Sequence, residues 1–478
     1  MLRPRMRFSS LRHLQPIRPK GALFARHSHS LDISIITRWP RENFLYDWIN
    51  GAERLESYEP GGFHPVMIND VLHNRYRIVD KLGFGPYSTI WLARDDQLNR
   101  YVAVKLNVSD PTLPTLQREA GVLRALSDSS PMTAQRDPSS PLHGRDAVPK
   151  ILDEFKIDGP NGTHLCYTMA PAQGDLHEAS FCCLFPIEVA RALAARLAIA
   201  VSFVHSRGFV HGDIHLLNVL VGFRTNLNAL SISQFKDKFG EPCVVPISRI
   251  DKKLLPPNVP AQATIPSYLG KKAPEFTVAD ADGLILADFN GAFAPATEPR
   301  LGKDCRIPLP KRAPEAILEP ESPFSYPFDI WSLGNAIWEI VGMKPLFSDC
   351  EPENEIVAEQ IDVLGYQHFP SAWREKWERQ SSGESDIDPS VPRRPTDDRE
   401  IWPTLEVAFE EFVQKYRRKR AVGVFGDDET RAFLSLMRGM LKFGPEERLT
   451  IEGVLESEWM KKWALPQMSS HHNIDTTH

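Results

Sequence analysis

Residues 209–220 read FVHGDIHLLNVL. The run places an aspartate, Asp213, and an asparagine, Asn218, five positions apart among apolar residues. A carboxylate at Asp213 can accept or orient a hydroxyl proton, and the amide oxygen of Asn218 is a hard ligand suited to magnesium. The run follows PIEVARALAARLAIAVSFVHS (186–206), where Val189, Leu193, Leu197, Val201 and Val204 recur at helical spacing and Pro186 is placed to open the helix. That apolar stripe reads as core.

Upstream the pattern is that of strands. RYRIVDKLG (75–83), STIWLARD (88–95) and YVAVKL (101–106) alternate apolar and polar residues, as a small antiparallel sheet requires. KLGFGPYSTIWLARD sets Gly83 and Gly85 between two strands, where missing side chains let backbone amides approach phosphates. In VAVK, alternation puts Ala103 and Lys105 on one face, a small residue for a planar base and an ammonium for a phosphate. Glu119, in the helical stretch PTLQREAGVLRAL (114–126), is the acid expected to aim that ammonium. Residues 127–147 read as a loop, and VPKILDEFKI and THLCYTM as further strands.

Downstream, residues 223–280 lack sustained periodicity and read as an inserted spacer. LILADFNG (284–291) then supplies Asp288 as a second oxygen ligand for the metal. RAPE ends at Glu315, for which Arg448 in GPEERLT is the expected partner. Asp329, in the apolar helix FDIWSLGNAIWEIVG (328–342), is expected to anchor the backbone around Asp213 from below. Residues 379–400 form a second, polar insertion.

This order of glycine loop, strand lysine, helix glutamate, H-x-D-x-x-x-x-N, D-F and A-P-E resembles the protein kinase superfamily over about residues 60–462. The opening GGFHPVMINDVLHNRYRIVDKLGFGPYSTIWLARD (61–95), with its G-G-x-x-P-V lead-in and S-T-x-W-L strand, is similar to the SR-protein kinases, and the chain is identified as a divergent, fungal-type member. The resemblance implies an α+β, two-lobed fold: a small lobe of antiparallel sheet plus one helix (60–172) and a mainly helical large lobe (173–465) carrying the spacer. Residues 1–59 are expected to be a largely disordered basic leader and extension, and 466–478 a disordered tail.

It further implies ATP and Mg2+ as cofactors and transfer of phosphate to serines of basic or arginine/serine-rich proteins by a monomer. Asp213, Lys105, Asn218 and His215 would be catalytic. Leu82, Gly83, Gly85, Ala103, Lys105, Glu119, Met169, Ala170 and Ala172 would bind ATP, and Asn218 and Asp288 the metal.

Four residues depart from the family pattern. His215 stands where active kinases carry a lysine, and with an ordinary pKa near 6.5 it is expected to be largely neutral at pH 7. Asn290 replaces a glycine and Pro308 a threonine. Gly212 replaces the arginine that receives an activation-loop phosphate, so no dependence on such phosphorylation is expected. Two other classes fit part of the sequence: a pseudokinase scaffold, which His215 favours, and a small-molecule kinase like the aminoglycoside phosphotransferases, whose catalytic loop HGDIHLLN resembles.

Bulk composition limits the remaining possibilities. The chain has 478 residues, 42% hydrophobic and 25% charged, with a net charge of −6, so no cationic field draws it to nucleic acid. The six cysteines form no C-x-x-C pair, which suits reduced thiols in the cytoplasm or nucleus. No stretch reaches the length of a membrane span. Residues 1–30 carry Arg3, Arg5, Arg7, Arg12, Arg18, Lys20 and Arg26 before the first acid, Asp32, which fits either a mitochondrial import signal or a plain basic arm. Glu351, Glu353, Glu355 and Glu359 are candidates for docking an arginine-rich peptide.

Overall fold

Strand alternation in the first third builds one antiparallel sheet. The computed structural model of the chain describes residues 44–110, 115–128, 144–349, 351–379 and 399–469. Strands β1 (Val71–Leu72), β2 (Tyr76–Gly85), β3 (Ser88–Asp95), β4 (Arg100–Asn107), β5 (Asp153–Gly159) and β6 (Gly162–Met169) pair in the order β1-β2-β3-β4-β6-β5. Tyr76, Ile78, Trp91, Val102, Val104, Phe155 and Cys166 pack one side of this sheet into a core of its own. The β2–β3 register slips between Ile78 and Asp80 and again between Lys81 and Gly83. Such bulges add local twist and lift the glycine hairpin off the regular ladder. Helix α1 (Thr115–Ser127) belongs to this lobe and brings Glu119 under β4.

The chain leaves the sheet at Met169 and crosses to β7 (Ala172–Asp175), which pairs with β8 (Val219–Gly222), itself paired with β11 (Leu284–Leu286). Ala172 therefore lies on the large-lobe side of the expected boundary, and Ala170 and Pro171 make the crossing. After the short helix α2 (Leu176–Ser180) comes α3 (Ile187–Ser206), with Pro186 at its N-cap. The Val189–Val204 stripe is buried as expected, and so are Ala190, Ala192, Ala194, Ala195, Ala198 and Ala200. Alanine on the remaining faces lets neighbouring elements close on α3 from every side, so it becomes the axis of the large lobe.

The spacer and the extension depart from expectation. Within 223–280, helix α4 (Ile232–Phe239) is opened by a capping box between Ser231 and Gln234, and β9 (Cys243–Pro246) pairs with β10 (Gln262–Ile265). Phe235 is fully buried in a cluster with Val79, Leu92, Tyr101, Leu227 and Leu269. The spacer is thus a folded cover on the small lobe, although it is inserted in the large one.

Nor is the extension disordered throughout: Tyr46, Ala52, Leu55 and Tyr58 pack with Phe63, Val108, Ile247, Val259 and Ala263. The Glu53 carboxylate, 4% exposed as a residue, accepts hydrogen bonds from Lys81 Nζ and Tyr58 Oη. These segments show no periodicity because each contributes only a few apolar residues, and their partners lie in a distant part of the chain.

The large lobe continues through β12 (Arg300–Leu301) paired with β13 (Pro323–Phe324), and helices α5 (Glu315–Leu318), α6 (Tyr326–Val341), α7 (Glu353–Leu364) and α8 (Ser371–Arg379). Residues 405–420 form a single helical stretch with a π segment at Phe409–Gln414. Helices α9 (Asp427–Met440), α10 (Ile451–Glu456) and α11 (Leu465–Ser469) follow, so helix persists past residue 465 into the expected tail. The basic leader and most of the 379–400 insertion lie outside the described residues. Among the described residues no helix is long and apolar enough to cross a membrane.

Candidate active site

Lys105 sits on β4, where its neighbours on the ladder are Ile90 and Tyr167. Its ammonium lies 2.9 and 2.7 Å from the two carboxylate oxygens of Glu119 and 3.2 Å from Asp288 Oδ1. Burial opposes the charge on Lys105, but Asp288 and Glu119 outweigh it and raise its pKa. The same pairing works on Asp288 in reverse: burial pushes its pKa up, the Lys105 ammonium pulls harder, and the carboxyl lies below its ordinary value. Helix α1 is tied in a second way, because the Phe289 amide donates to Glu119 Oε1 at 3.2 Å. Asp288 has φ of +63°, a left-handed backbone that turns its carboxylate back into the cleft.

Across the cleft, Asp213 and Asn218 meet as a unit. Asn218 Nδ2 donates to the Asp213 carbonyl at 2.9 Å and to Asp213 Oδ2 at 3.2 Å, which fixes the amide with its oxygen turned the other way. Below them, Asp329 accepts from the amides of His211 at 2.7 Å and Gly212 at 2.9 Å, and His205 Nε2 lies 2.9 Å from its carboxylate. Burial raises the pKa of Asp329, while His205, His211 and the Gly212 amide lower it by more. His211 is fully buried, and burial lowers its pKa. Gly212 has φ of +74°, and a Cβ there would stand 2.8 Å from the Gly291 carbonyl, so no side chain fits.

His215 differs from the sequence-based expectation. Its Nε2 is 3.3 Å from Asp213 Oδ1. Burial favours the neutral ring, but the negative charges of Asp213, Asp288 and Glu339 prevail and raise its pKa above the ordinary value. The imidazole is therefore held toward its charged form. Asp213, two positions away, raises it most and Asp288 next, and the sequence could not show that these carboxylates surround a buried ring.

The donor set fits magnesium and a nucleotide triphosphate. Asn290 Oδ1 is a buried acceptor without a hydrogen bond, and Asp213 Oδ1 faces His215 Nε2 at 3.3 Å. A site with an unspent oxygen next to Asp288 is suited to a hard cation. At Gly83 and Gly85 a Cβ would meet nothing within 4 Å, so packing within the protein does not demand glycine there. What the glycines preserve is open space over the cleft. Ala103 pairs with Met169 across the ladder, forming a small, apolar roof beside the crossing at Ala170 to Ala172. Leu82 is half-buried against the spacer cluster, with Lys81 O accepting from the Ser267 amide and Gln173 O from the Leu269 amide.

Two features of the site had little sequence signal. Asn290 Nδ2 donates to Asp288 Oδ1 at 2.6 Å, steadying the carboxylate from the position where a glycine was expected. The residues that follow β10 hydrogen-bond to β2 and β7, through the Ser267 and Leu269 amides, which no motif announced. Of the candidate docking acids, Glu359 is withdrawn: it is 4% exposed and accepts from the Ser348 amide at 2.7 Å. Away from the cleft, Arg448 and Glu315 form a bidentate pair at 2.7 and 2.6 Å.

Comparisons with known proteins bear on the fold and the family. A family model described as "Protein kinase domain" matches residues 285–460. A serine/threonine protein kinase of Aspergillus fumigatus is 27% identical over 434 residues, covering 85% of this chain and 90% of that protein. The serine/threonine-protein kinase SRPK of Physarum polycephalum is 25% identical over 432 residues, covering 85% and 91%. SRSF protein kinase 3 of Homo sapiens is 31% identical over 171 residues, 35% of this chain and 29% of that protein. Among solved structures, the crystal structure of a kinase domain superposes with a TM-score of 0.53 at 16% identity, covering 83% of this chain and 98% of that one.

Proposed function

Because this chain belongs to the protein kinase superfamily, as a serine/threonine kinase similar to the SR-protein kinases, we propose that it transfers the terminal phosphoryl group of ATP to serines of basic, arginine/serine-rich proteins. The observation that carries this reading is the convergence of Lys105, Glu119 and Asp288 within 3.2 Å, facing the Asp213–Asn218 pair. In this reading Lys105, aimed by Glu119, neutralises phosphate oxygens. Asp213 accepts the proton of the serine hydroxyl as the bond to phosphorus forms. Asp288 and Asn218 hold magnesium, which when bound supplies further neutralisation of the phosphate charge. His215, held toward its charged form, adds positive charge near the transferring group, where the family pattern has a lysine.

The choice of basic substrates is supported by the names of the relatives, one an SRSF protein kinase and one an SRPK. It is also supported by the net charge of −6. The test is a transfer assay with labelled ATP and magnesium, offering an arginine/serine peptide, a generic basic protein and small alcohols. Asp213→Ala should lower peptide labelling by about a hundredfold or more. Nucleotide binding with no transfer to any acceptor, or labelling of the alcohols alone, would overturn the proposal.

A further inference from the structure

The residue before Glu119 makes a separate connection. Arg118 Nη2 lies 2.7 Å from Glu298 Oε1, and the same oxygen is 3.5 Å from Arg300 Nε. Arg300 donates from Nη1 to the Gly291 carbonyl at 2.8 Å and from Nη2 to the Ala292 carbonyl at 3.3 Å. Its guanidinium also lies over the Phe293 ring, 5.0 Å from the centroid. Those carbonyls lie in the short segment that begins at Asp288. Helix α1 is thus joined to this segment twice, through Glu119 to the Phe289 amide and through Arg118, Glu298 and Arg300 to residues 291 and 292.

The charge balance makes Glu298 the critical member. Burial and the neighbouring guanidinium of Arg118 both lower the pKa of Arg300, and Arg306 adds to the repulsion, while Glu298 acts in the opposite direction. Arg306 lies over Tyr87 at the tip of the glycine hairpin, 5.2 Å from the ring centroid, so a third cation borders this corner. Without the carboxylate, Arg118 and Arg300 would repel each other and α1 would lose its second tie. Gly212 cannot help, because a Cβ there would collide with the very carbonyl that Arg300 Nη1 holds.

We propose that Glu298 is a positioning residue for phosphoryl transfer, whose carboxylate bridges Arg118 and Arg300 and so keeps helix α1 in register with Asp288 without any phosphoryl group on the 288–315 segment. This inference rests on the kinase reading of the site. Arg118 and Arg300 present to Glu298 the paired guanidinium groups that would otherwise suit a phosphate.

The test compares the full chain with Glu298→Gln and Glu298→Asp, before and after phosphatase treatment. Turnover, the KM for ATP, the thermal midpoint and amide hydrogen exchange are read in each. Glu298→Gln should lower kcat by about tenfold or more while changing the KM for ATP less, as expected for a lost coupling between elements. Residues 118–124 should exchange faster in that variant while the α3 core is unchanged. Glu298→Asp should recover part of both effects, and phosphatase should leave the unsubstituted chain as active as before. The proposal is overturned if Glu298→Gln turns over normally with unchanged protection of α1, or if phosphatase abolishes activity of the unsubstituted chain. Should the unsubstituted chain transfer no phosphate at all, the kinase reading fails, and the exchange data still decide whether the bridge holds α1. Should Glu298→Gln not fold, Glu298→Asp with its exchange pattern decides.

Discussion

At His215 a single ring nitrogen faces a carboxylate, with Asp213 Oδ1 at 3.3 Å. Asn218 Nδ2 also lies 3.1 Å from His215 Nε2, so the ring carries its proton toward Asp213 Oδ1 when Asn218 spends both amide hydrogens on Asp213 O and Oδ2. Since the pKa is raised, the charged form persists above pH 6.5 and is lost as pH rises through the shifted value. Transfer activity should therefore decline as pH rises from 6.5 through the shifted value, and His215→Lys should remove that decline because lysine titrates at about 10.4. Superimposable pH–rate profiles for the two proteins would exclude the role. The identity of this residue could be read directly from HGDIHLLN, but its charge could not. Likewise, the glycine at 212 was legible as a departure, whereas its cause, a left-handed backbone closed against Gly291, needed the fold.

At the scale of elements, the extension and the spacer share one seam with the small lobe. Lys81 is 0% exposed and burial lowers its pKa, with Glu53 opposing the shift. Removing the carboxylate by Glu53→Ala leaves a buried ammonium unpaired, which should cost about 3–5 kcal/mol of stability, measurable by denaturant unfolding. Phe235→Ala should cost about 3–5 kcal/mol by emptying the space beneath α4. If the spacer were a loose linker, that substitution would leave the unfolding midpoint unmoved. The strands β2, β3 and β4 were readable because one side of each meets core and the alternation repeats within a single stretch. The spacer's cover was not, because Leu227, Phe235 and Leu269 acquire meaning only beside Val79, Leu92 and Tyr101.

Over the whole molecule, acid sensitivity follows from buried neutral histidines. Burial and the neighbouring His164 push the pKa of His64 down to about 4 from an ordinary 6.5. Burial lowers His164 and His211 as well. For such groups the unfolded chain binds protons first, so their contribution to stability is complete above pH 6.5 and is lost as pH falls toward 4. His215, with a raised value, changes its contribution only above pH 6.5 and leaves this window to the lowered groups. The thermal midpoint should fall between pH 6.5 and 4, and His64→Gln should make that fall shallower; an unchanged slope would exclude His64 as a cause.

The sequence alone pointed to the two-lobed fold class, through its resemblance to the protein kinases, and named Lys105, Glu119, Asp213, Asn218 and Asp288, because motif spacing and strand or helix period are properties of short stretches. Tertiary structure alone decided the charge of His215, the seating of residues 44–59 and 223–280 on the small lobe, and the Arg118–Glu298–Arg300 bridge. Each of these depends on burial or on a partner from a distant part of the chain. Electrostatic and packing energies are set by distances in space, and a linear pattern carries no record of those distances.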